Sequence, residues 1–354
     1  MAAVSFHPLT VSDIEHITED AIRVTFEPPP DERELFEHLP GQHLTLRATI
    51  DGDDVRRSYS ICSPQGNDAL QVGIKLLPGG VFSTWAHEGL AVGDVIASTP
   101  PSGDFTLDST TGSEGPYVAI AAGSGITPVL SIIASTLHND PTSRFTLVYG
   151  NRTSGSVMFL DDIDALKGAY PDRFMVLHIL SREQHDLPVL SGRIDADKVS
   201  ELCERFIPVS AVRGWYLCGP KGMVEASREA LGAMDVDAAI VYDELFFAGG
   251  EGPIAVAEDD VDGSEVRFTL DGRTSSVFVD PDGTPILDHV LRVRPEGPFS
   301  CRSGACASCR ALVTKGEVRM DRNWSLNQEE VDAGQVLTCQ AHPVSDTVEL
   351  TYDT

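Results

Sequence analysis

Apolar and polar positions alternate from residue 4 to about 108, with turn residues every ten or so positions, as in Leu44, Leu46 and Ala48 after the Pro40-Gly41 turn. A period of two with such punctuation predicts an antiparallel β-barrel over 1–110. Asp51-Gly52 marks a hairpin tip, and the returning strand carries Arg56, Arg57, Ser58, Tyr59 and Ser60. After the polar stretch DSTTGSEGP at 108–116 the period changes. Tyr117–Ala122 is wholly apolar, a glycine turn follows, and Val129, Ile132, Ile133 and Leu137 fall at helical spacing. Further apolar runs at Phe145–Tyr149, Phe174–Leu180 and Trp215–Cys218 repeat the order. Alternating strands and helices predict an α/β domain over 116–247, built on a parallel sheet with ligands at the carboxyl ends of its strands. The segment Ala248–Gly263 has no apolar period and many glycines and acids, which predicts a flexible linker. Over 264–354, Val266, Phe268 and Leu270 predict a strand, and a turn at Asp271-Gly272 leads to a second through Val279. Ile286, Leu287, Val290 and Leu291 then mark a helix, and Val348–Tyr352 a late strand. Ser325-x-x-Gln328 predicts a capping box before Cys339.

Composition narrows the function classes. A chain of 354 residues suits two or three domains. Its formal net charge of −28, from 54 acidic against 26 basic residues, repels nucleic acid and anionic lipid. A partner that is basic or neutral at its docking face follows, or else the acidity serves solubility alone. No basic amino-terminal region and no apolar run of about 18 residues stands in the chain, so neither signal peptide nor membrane span is expected, and a cytoplasmic location is.

Seven cysteines are present, and their spacing carries the chemistry. Cys301, Cys306 and Cys309 stand as C-x4-C-x2-C, with Cys339 far downstream. That spacing holds a [2Fe–2S] cluster, and Ser303, Gly304, Ala305, Ala307 and Ser308 are small enough for the backbone to close on the sulfides. Structural zinc, the alternative, gathers its cysteines in short paired knuckles, and Cys339 has no cysteine near it. Cys62, Cys203 and Cys218, each among apolar neighbours, predict buried free thiols.

Other motifs point to phosphates and rings. Strand alternation puts Arg57 and Tyr59 on one face, a cation beside an aromatic plate, although such a pair is also common on solvated strands. Gly79-Gly80-Val81-Phe82-Ser83 predicts a helix start whose free N–H groups cradle a diphosphate, with Ser83 adding a hydroxyl. Lys75 just before it serves either a phosphate or the solvent. Gly123-Ser124-Gly125-Ile126-Thr127-Pro128 is a tight turn with a phosphate option, lacking a third glycine of the dinucleotide fingerprint. Arg152 and the pair Ser181-Arg182 follow the next two strands. Cys218-Gly219-Pro220 closes the fourth, with Met223 one turn into the next helix.

The motifs Pro40–Cys62, Ala119–Pro128, Tyr149–Ser154 and Cys339–Asp353 resemble a ferredoxin–NADP reductase followed by a plant-type ferredoxin. Within that family the chain resembles the reductase subunits of phenylacetyl-CoA epoxidase complexes. The resemblance implies a β-grasp fold for 264–354 and three cofactors, FAD, NADP and the [2Fe–2S] cluster held by Cys301, Cys306, Cys309 and Cys339. It also implies that Arg57 meets the flavin pyrophosphate, Tyr59 lies on the isoalloxazine and Ser60 reaches its edge near N5. Gly123, Gly125, Thr127 and Pro128 would take the nicotinamide nucleotide, and Ser181 with Arg182 its 2′-phosphate. Cys218, Gly219 and Pro220 would line the nicotinamide, with Cys218 and Glu244 beside the hydride path. The implied activity is NADPH-dependent electron supply to a di-iron oxygenase, or in the alternative to a ring-hydroxylating or 3-ketosteroid 9α-hydroxylating one. A redox sensor without turnover, a reading from another class, would have no use for a hydride source.

Overall fold

Residues 5–66, 69–107, 115–246 and 263–353 are described by a computed structural model. They divide into two compact units, one of 8–44 with 59–246 and the other of 5–7 with 45–58 and 263–353. The predicted linker 248–263, apart from Gly263, and the polar stretch 108–114 lie outside the described residues.

The alternating region forms β1 (His7–Thr18), β2 (Ala21–Glu27), β3 (His43–Ile50), β4 (Asp53–Ser60), β5 (Leu70–Lys75), a helix α1 (Val81–Glu88) and β6 (Val95–Ser98). Their order in the sheet is β4-β3-β6-β1-β2-β5. Leu9, Val11, Val24 and Phe26 are buried between more exposed neighbours, as a strand with one dry face requires. An antiparallel bridge from Ile61 to Val72, backed by the Cys62 N–H donating to the Gln71 carbonyl at 2.9 Å, ties the end of β4 to β5 and closes the sheet. The predicted barrel is thus present.

The apolar strands form a parallel sheet. In chain order come β7 (Pro116–Ala122), α2 (Ile126–Asn139), β8 (Arg144–Asn151), α3 (Leu160–Ala169), β9 (Phe174–Leu180), α4 (Ala196–Phe206), β10 (Gly214–Gly219), α5 (Lys221–Ala233) and β11 (Val241–Leu245). The sheet order is β11-β10-β7-β8-β9. Tyr117, Ala119 and Ala121 belong to the core on one face, Val118 and Ile120 to the core on the other. Burial on both faces is why the strand reads as continuous apolar sequence. β8 and β9 extend to one side of β7 while β10 and β11 extend to the other, so the order switches between β7 and β10, where open α/β sheets bind ligands. The edge strand β11 escaped the sequence pattern because its residues, VYDEL, are half polar.

The carboxyl-terminal part contains β12 (Ser264–Leu270), β13 (Arg273–Val279), α6 (Ile286–Val293), β14 (Arg310–Lys315), β15 (Val318–Met320), α7 (Gln328–Asp332), β16 (Gln335–Leu337), β17 (Ala341–Pro343) and β18 (Thr347–Thr351). The main sheet, β13-β12-β18-β14-β16, mixes a parallel β12–β18 pair with antiparallel neighbours, and its core includes Val266, Phe268, Ile286, Val290, Val348 and Leu350. Hairpin, crossing helix, cysteine loop and late strand follow in the β-grasp order expected. The capping box does not fall where predicted. Asn327 accepts from the Glu330 N–H while Glu330 reaches back to the Asn327 N–H, and Ser325 instead donates to the Gly304 carbonyl at 3.2 Å. An Asn two residues on, with Glu at the third helical position, outcompetes Ser and Gln for the same role.

Candidate functional site

At the switch point β7 passes into a turn at Gly123–Gly125, and α2 starts one residue later. A Cβ on Gly125 would meet the Cys218 carbonyl oxygen at 2.2 Å, so only glycine lets this turn lie against the end of β10. Thr127 is buried, with its hydroxyl donating to the Ser124 carbonyl at 3.0 Å. Gly219 follows with φ +154°, and Pro220 caps α5. Parallel pairing of β10 with β11 sets Cys218 opposite Glu244. The Ser60 hydroxyl donates to Glu244 Oε2 at 3.3 Å, across 184 residues of sequence. Thus Ser60, Cys218 and Glu244, predicted from three separate stretches, are brought together within one unit.

The electrostatics of this trio follow from burial. Loss of hydration raises the Glu244 carboxyl to about 7, opposed by the Ser60 hydrogen bond. Burial, reinforced by Glu244, also raises the Cys218 thiol well above its usual value, so the sulfur stays protonated and is no nucleophile. His43 Nδ1 lies 3.9 Å from Glu244 Oε1. The pair is not an ion pair at neutral pH, because burial lowers His43 to about 4 and keeps its ring neutral. His43 was not singled out in the sequence; in PGQHLTL nothing distinguishes it from a strand residue.

The phosphate candidates fare unequally. The Tyr59 ring centroid lies 5.5 Å from that of Phe82 in the first turn of α1. That helix carries no side-chain cap and no acidic residue in its first turn, which leaves its positive end available to an anion, and Gly79 at φ +74° sets the approach. Ser83 is otherwise engaged: its hydroxyl donates to the Gly80 carbonyl at 3.1 Å and accepts from the Leu77 N–H at 3.2 Å, so it shapes the turn. Lys75 is paired with Asp20 at 3.1 Å. Arg57 donates to the Arg56 carbonyl at 2.7 Å. Arg152, Ser181 and Arg182 are exposed and adjacent, since the Arg182 N–H donates to the Arg152 carbonyl at 2.8 Å. Asn151 beside them is buried, and its side chain lies against the Tyr149 hydroxyl.

The cysteine loop, in the other unit, runs from α6 to β14. Arg302, Gly304 and Ala307 all take positive φ, which curls the backbone inward. The Ser303 N–H points at Cys301 Sγ and the Cys301 N–H at Cys306 Sγ, each at 3.4 Å. Gln340 ties the loop to the downstream cysteine by donating to the carbonyls of Arg302 at 2.9 Å and Cys339 at 2.8 Å. The strongest thiol interactions join Cys301 with Cys306 and Cys309 with Cys339, and Cys309 also feels Cys301 and Cys306, so the four sulfurs are near one another. Among the described residues no three His, Cys, Asp or Glu side chains gather around one ion. Two cysteine pairs suit two irons, one pair to each, better than a single zinc. Leu287, Leu326 and Leu337 pack around Cys309 and Cys339, whereas Cys301 and Cys306 are only half-buried.

Three family models match: "Oxidoreductase FAD-binding domain" over 8–107, "Oxidoreductase NAD-binding domain" over 119–229 and "2Fe-2S iron-sulfur cluster binding domain" over 268–344. A component of the 1,2-phenylacetyl-CoA epoxidase of Escherichia coli (strain K12) is 39% identical over 99% of this chain and 98% of its own. The ferredoxin reductase component of 3-ketosteroid-9-alpha-monooxygenase from Mycobacterium tuberculosis (strain CDC 1551 / Oshkosh) is 36% identical over 98% of this chain and 95% of its own. The chain belongs to the family of oxygenase reductases with FAD, NAD and [2Fe–2S] domains. A solved phthalate dioxygenase reductase shares the fold, with a TM-score of 0.63 at 21% identity over 98% of each chain. This reductase is therefore an electron-transfer oxidoreductase with FAD-binding, NAD-binding and [2Fe–2S] domains. No helix among its described residues is long and apolar enough to cross a membrane.

The residues present suit those groups. The uncapped helix α1 beside Tyr59 suits a flavin phosphate and ring, the Gly125 turn at the uncapped start of α2 suits a nucleotide, and the grouped thiols suit the cluster. When bound, the flavin takes two electrons as hydride and releases them singly, the conversion a one-electron cluster needs.

Proposed function

We propose that the reductase takes hydride from NADPH and supplies electrons to a di-iron epoxidase acting on phenylacetyl-CoA in the cytoplasm. The observation that carries the redox part is the contact of Ser60 with Glu244 opposite Cys218, at the sheet's switch point. Arg57, Tyr59 and the amide of Val81 hold the FAD, with Gly79 and Gly80 setting the approach, since the Gly80 N–H is spent on the Leu77 carbonyl at 2.9 Å. Gly123, Gly125, Thr127, Pro128, Gly219 and Pro220 hold the nicotinamide end of the nucleotide, and Ser181 with Arg182 its 2′-phosphate. Lys75 and Ser83 act at one remove, through Asp20 and the Gly79 turn. Ser60 Oγ would orient the flavin edge and relay to Glu244 Oε2 the proton given up at flavin N5 as electrons leave, taking that proton as it donates its own. The raised proton affinity of Glu244 near neutral pH lets it hold and return it. Buried Cys218 shapes the site and excludes water. Cys301, Cys306, Cys309 and Cys339 are the cluster ligands.

The epoxidase reading rests on 39% identity over nearly the whole chain. The similarly complete match to the ketosteroid system, at 36%, favours a second acceptor. Reconstitution with phenylacetyl-CoA epoxidase should consume NADPH in step with substrate. Failure there with success on a ketosteroid or ring-hydroxylating oxygenase would transfer the protein to that system, and NADPH oxidation with neither would reject both.

A further inference from the structure

The unit that holds the cysteine loop also contains the tip of the β3–β4 hairpin, residues 45–58, and residues 5–7. Between them runs a stack of alternating guanidinium groups and rings. The Arg47 guanidinium lies 4.2 Å from the Phe6 ring centroid, and that of Arg56 lies 5.1 Å from Phe6 and 4.3 Å from Phe299. Arg302 lies 4.9 Å from Phe299. Arg56, only 3% exposed, is the middle rung. Its guanidinium donates to Asp54 Oδ2 at 2.8 Å, the Gly297 carbonyl at 3.3 Å and, more weakly, the Pro295 carbonyl at 3.5 Å. Two residues along the same face of β4, the hydroxyls of Ser58 and Ser300 share a hydrogen bond of 2.8 Å. Ser300 precedes Cys301, and Arg302 follows it and is anchored to Asp288 on α6 at 2.6 Å.

The location matters more than the strength. β4 presents Arg56 and Ser58 to the loop that leads into Cys301, while the alternate positions Arg57 and Tyr59 are those assigned to the flavin. One strand thus grips the lead-in to the cluster ligands and carries the flavin residues. Burying an arginine between two rings is costly unless its planar fork finds acceptors, and here Asp54, Gly297 and Pro295 supply them. Cation–π contacts of this kind gain strength when desolvated.

We propose that Arg56, with Ser58, is a positioning residue that registers the cluster loop on the flavin strand for electron transfer from flavin to cluster. The inference rests on the FAD and cluster assignments above. Its test uses the full holoprotein, first by amide hydrogen exchange over 295–303 and then by anaerobic stopped-flow reduction with NADPH. Arg56→Ala should retain iron and flavin, reduce its flavin at the wild-type rate, exchange amides of 295–303 faster, and slow cluster reduction on the order of ten- to a hundredfold. Arg56→Lys should behave like Ala, since an ammonium keeps the charge but not the planar stacking. Ser58→Ala should show a smaller change in the same two readouts, and it serves in place of Arg56→Ala if that variant does not fold. Unchanged exchange or unchanged cluster reduction in the substituted protein would overturn the proposal, as would full rescue by lysine. A wild-type cluster that NADPH does not reduce would instead defeat the electron-transfer reading itself.

Discussion

The loop proposed to hold the cluster and the proposed Ser60–Glu244–Cys218 site are built in opposite ways. Three cluster thiols lie within the stretch Cys301–Cys309, and their chemistry is almost written in their spacing. The other site needs the end of a barrel strand, the end of a central parallel strand and an edge strand, with Ser60 and Glu244 184 residues apart. A local site tolerates movement of the rest of the chain, because its geometry comes from its own backbone. An assembled one depends on every element that sets the register of β10 against β11.

The largest effect that sharpens this contrast is loss of a cluster thiol. Even supporting groups around a metal cost roughly 10- to 100-fold in affinity, so Ser at Cys301, Cys306, Cys309 or Cys339 should remove most of the iron and electron delivery, leaving NADPH-to-ferricyanide turnover at the flavin. Cys62→Ser and Cys203→Ser should keep full iron content by colorimetric assay. Equal iron loss from those two would break the four-ligand assignment.

Next comes Glu244→Gln, expected to lower electron throughput about 10²- to 10⁴-fold if the carboxylate takes the proton from Ser60. Wild-type throughput should climb as pH rises through about 7 and then level, and the variant's should be flat. Stability should move the other way. The folded state holds this proton more tightly than the ordinary value of 4.5, so its contribution is complete below that pH and is lost as pH rises through about 7. Denaturant titrations should therefore show the wild type losing up to about 3 kcal/mol relative to Glu244→Gln between pH 4.5 and 8. Parallel stability curves would mean the carboxyl is not dry.

A smaller effect is expected at the exposed nucleotide end. Arg182→Ala should reduce preference for NADPH over NADH roughly ten- to a hundredfold, by loss of charge-assisted hydrogen bonds of about 1.5–3 kcal/mol. If kcat/KM falls equally for both nucleotides, Arg152 becomes the residue to test. Smallest is the cap of α7: Asn327→Ala should cost about 1 kcal/mol in thermal unfolding and Ser325→Ala less, and the reverse order would restore the capping box to Ser325.

Much of the architecture was legible in the sequence because it depends on period. Alternation marked the barrel, doubly buried runs marked β7 to β10, and C-x4-C-x2-C marked the cysteine loop. Ser83 shows where that stops. Its place in a glycine-opened helix start suggested a phosphate ligand, yet the hydroxyl closes the turn between Leu77 and Gly80 instead. Lys75 was read with two alternatives, and Asp20, 55 residues earlier, takes it.

By itself, then, the sequence determined which segments become strands and helices and which four thiols share a loop and its return, because those features are set by neighbours in the chain. Only the tertiary structure decided that Ser60 meets Glu244, that burial lifts this carboxyl toward neutrality, and that Arg56 is sandwiched between Phe6 and Phe299. Each of those depends on how far water has been excluded by residues distant in sequence, and desolvation has no period to read.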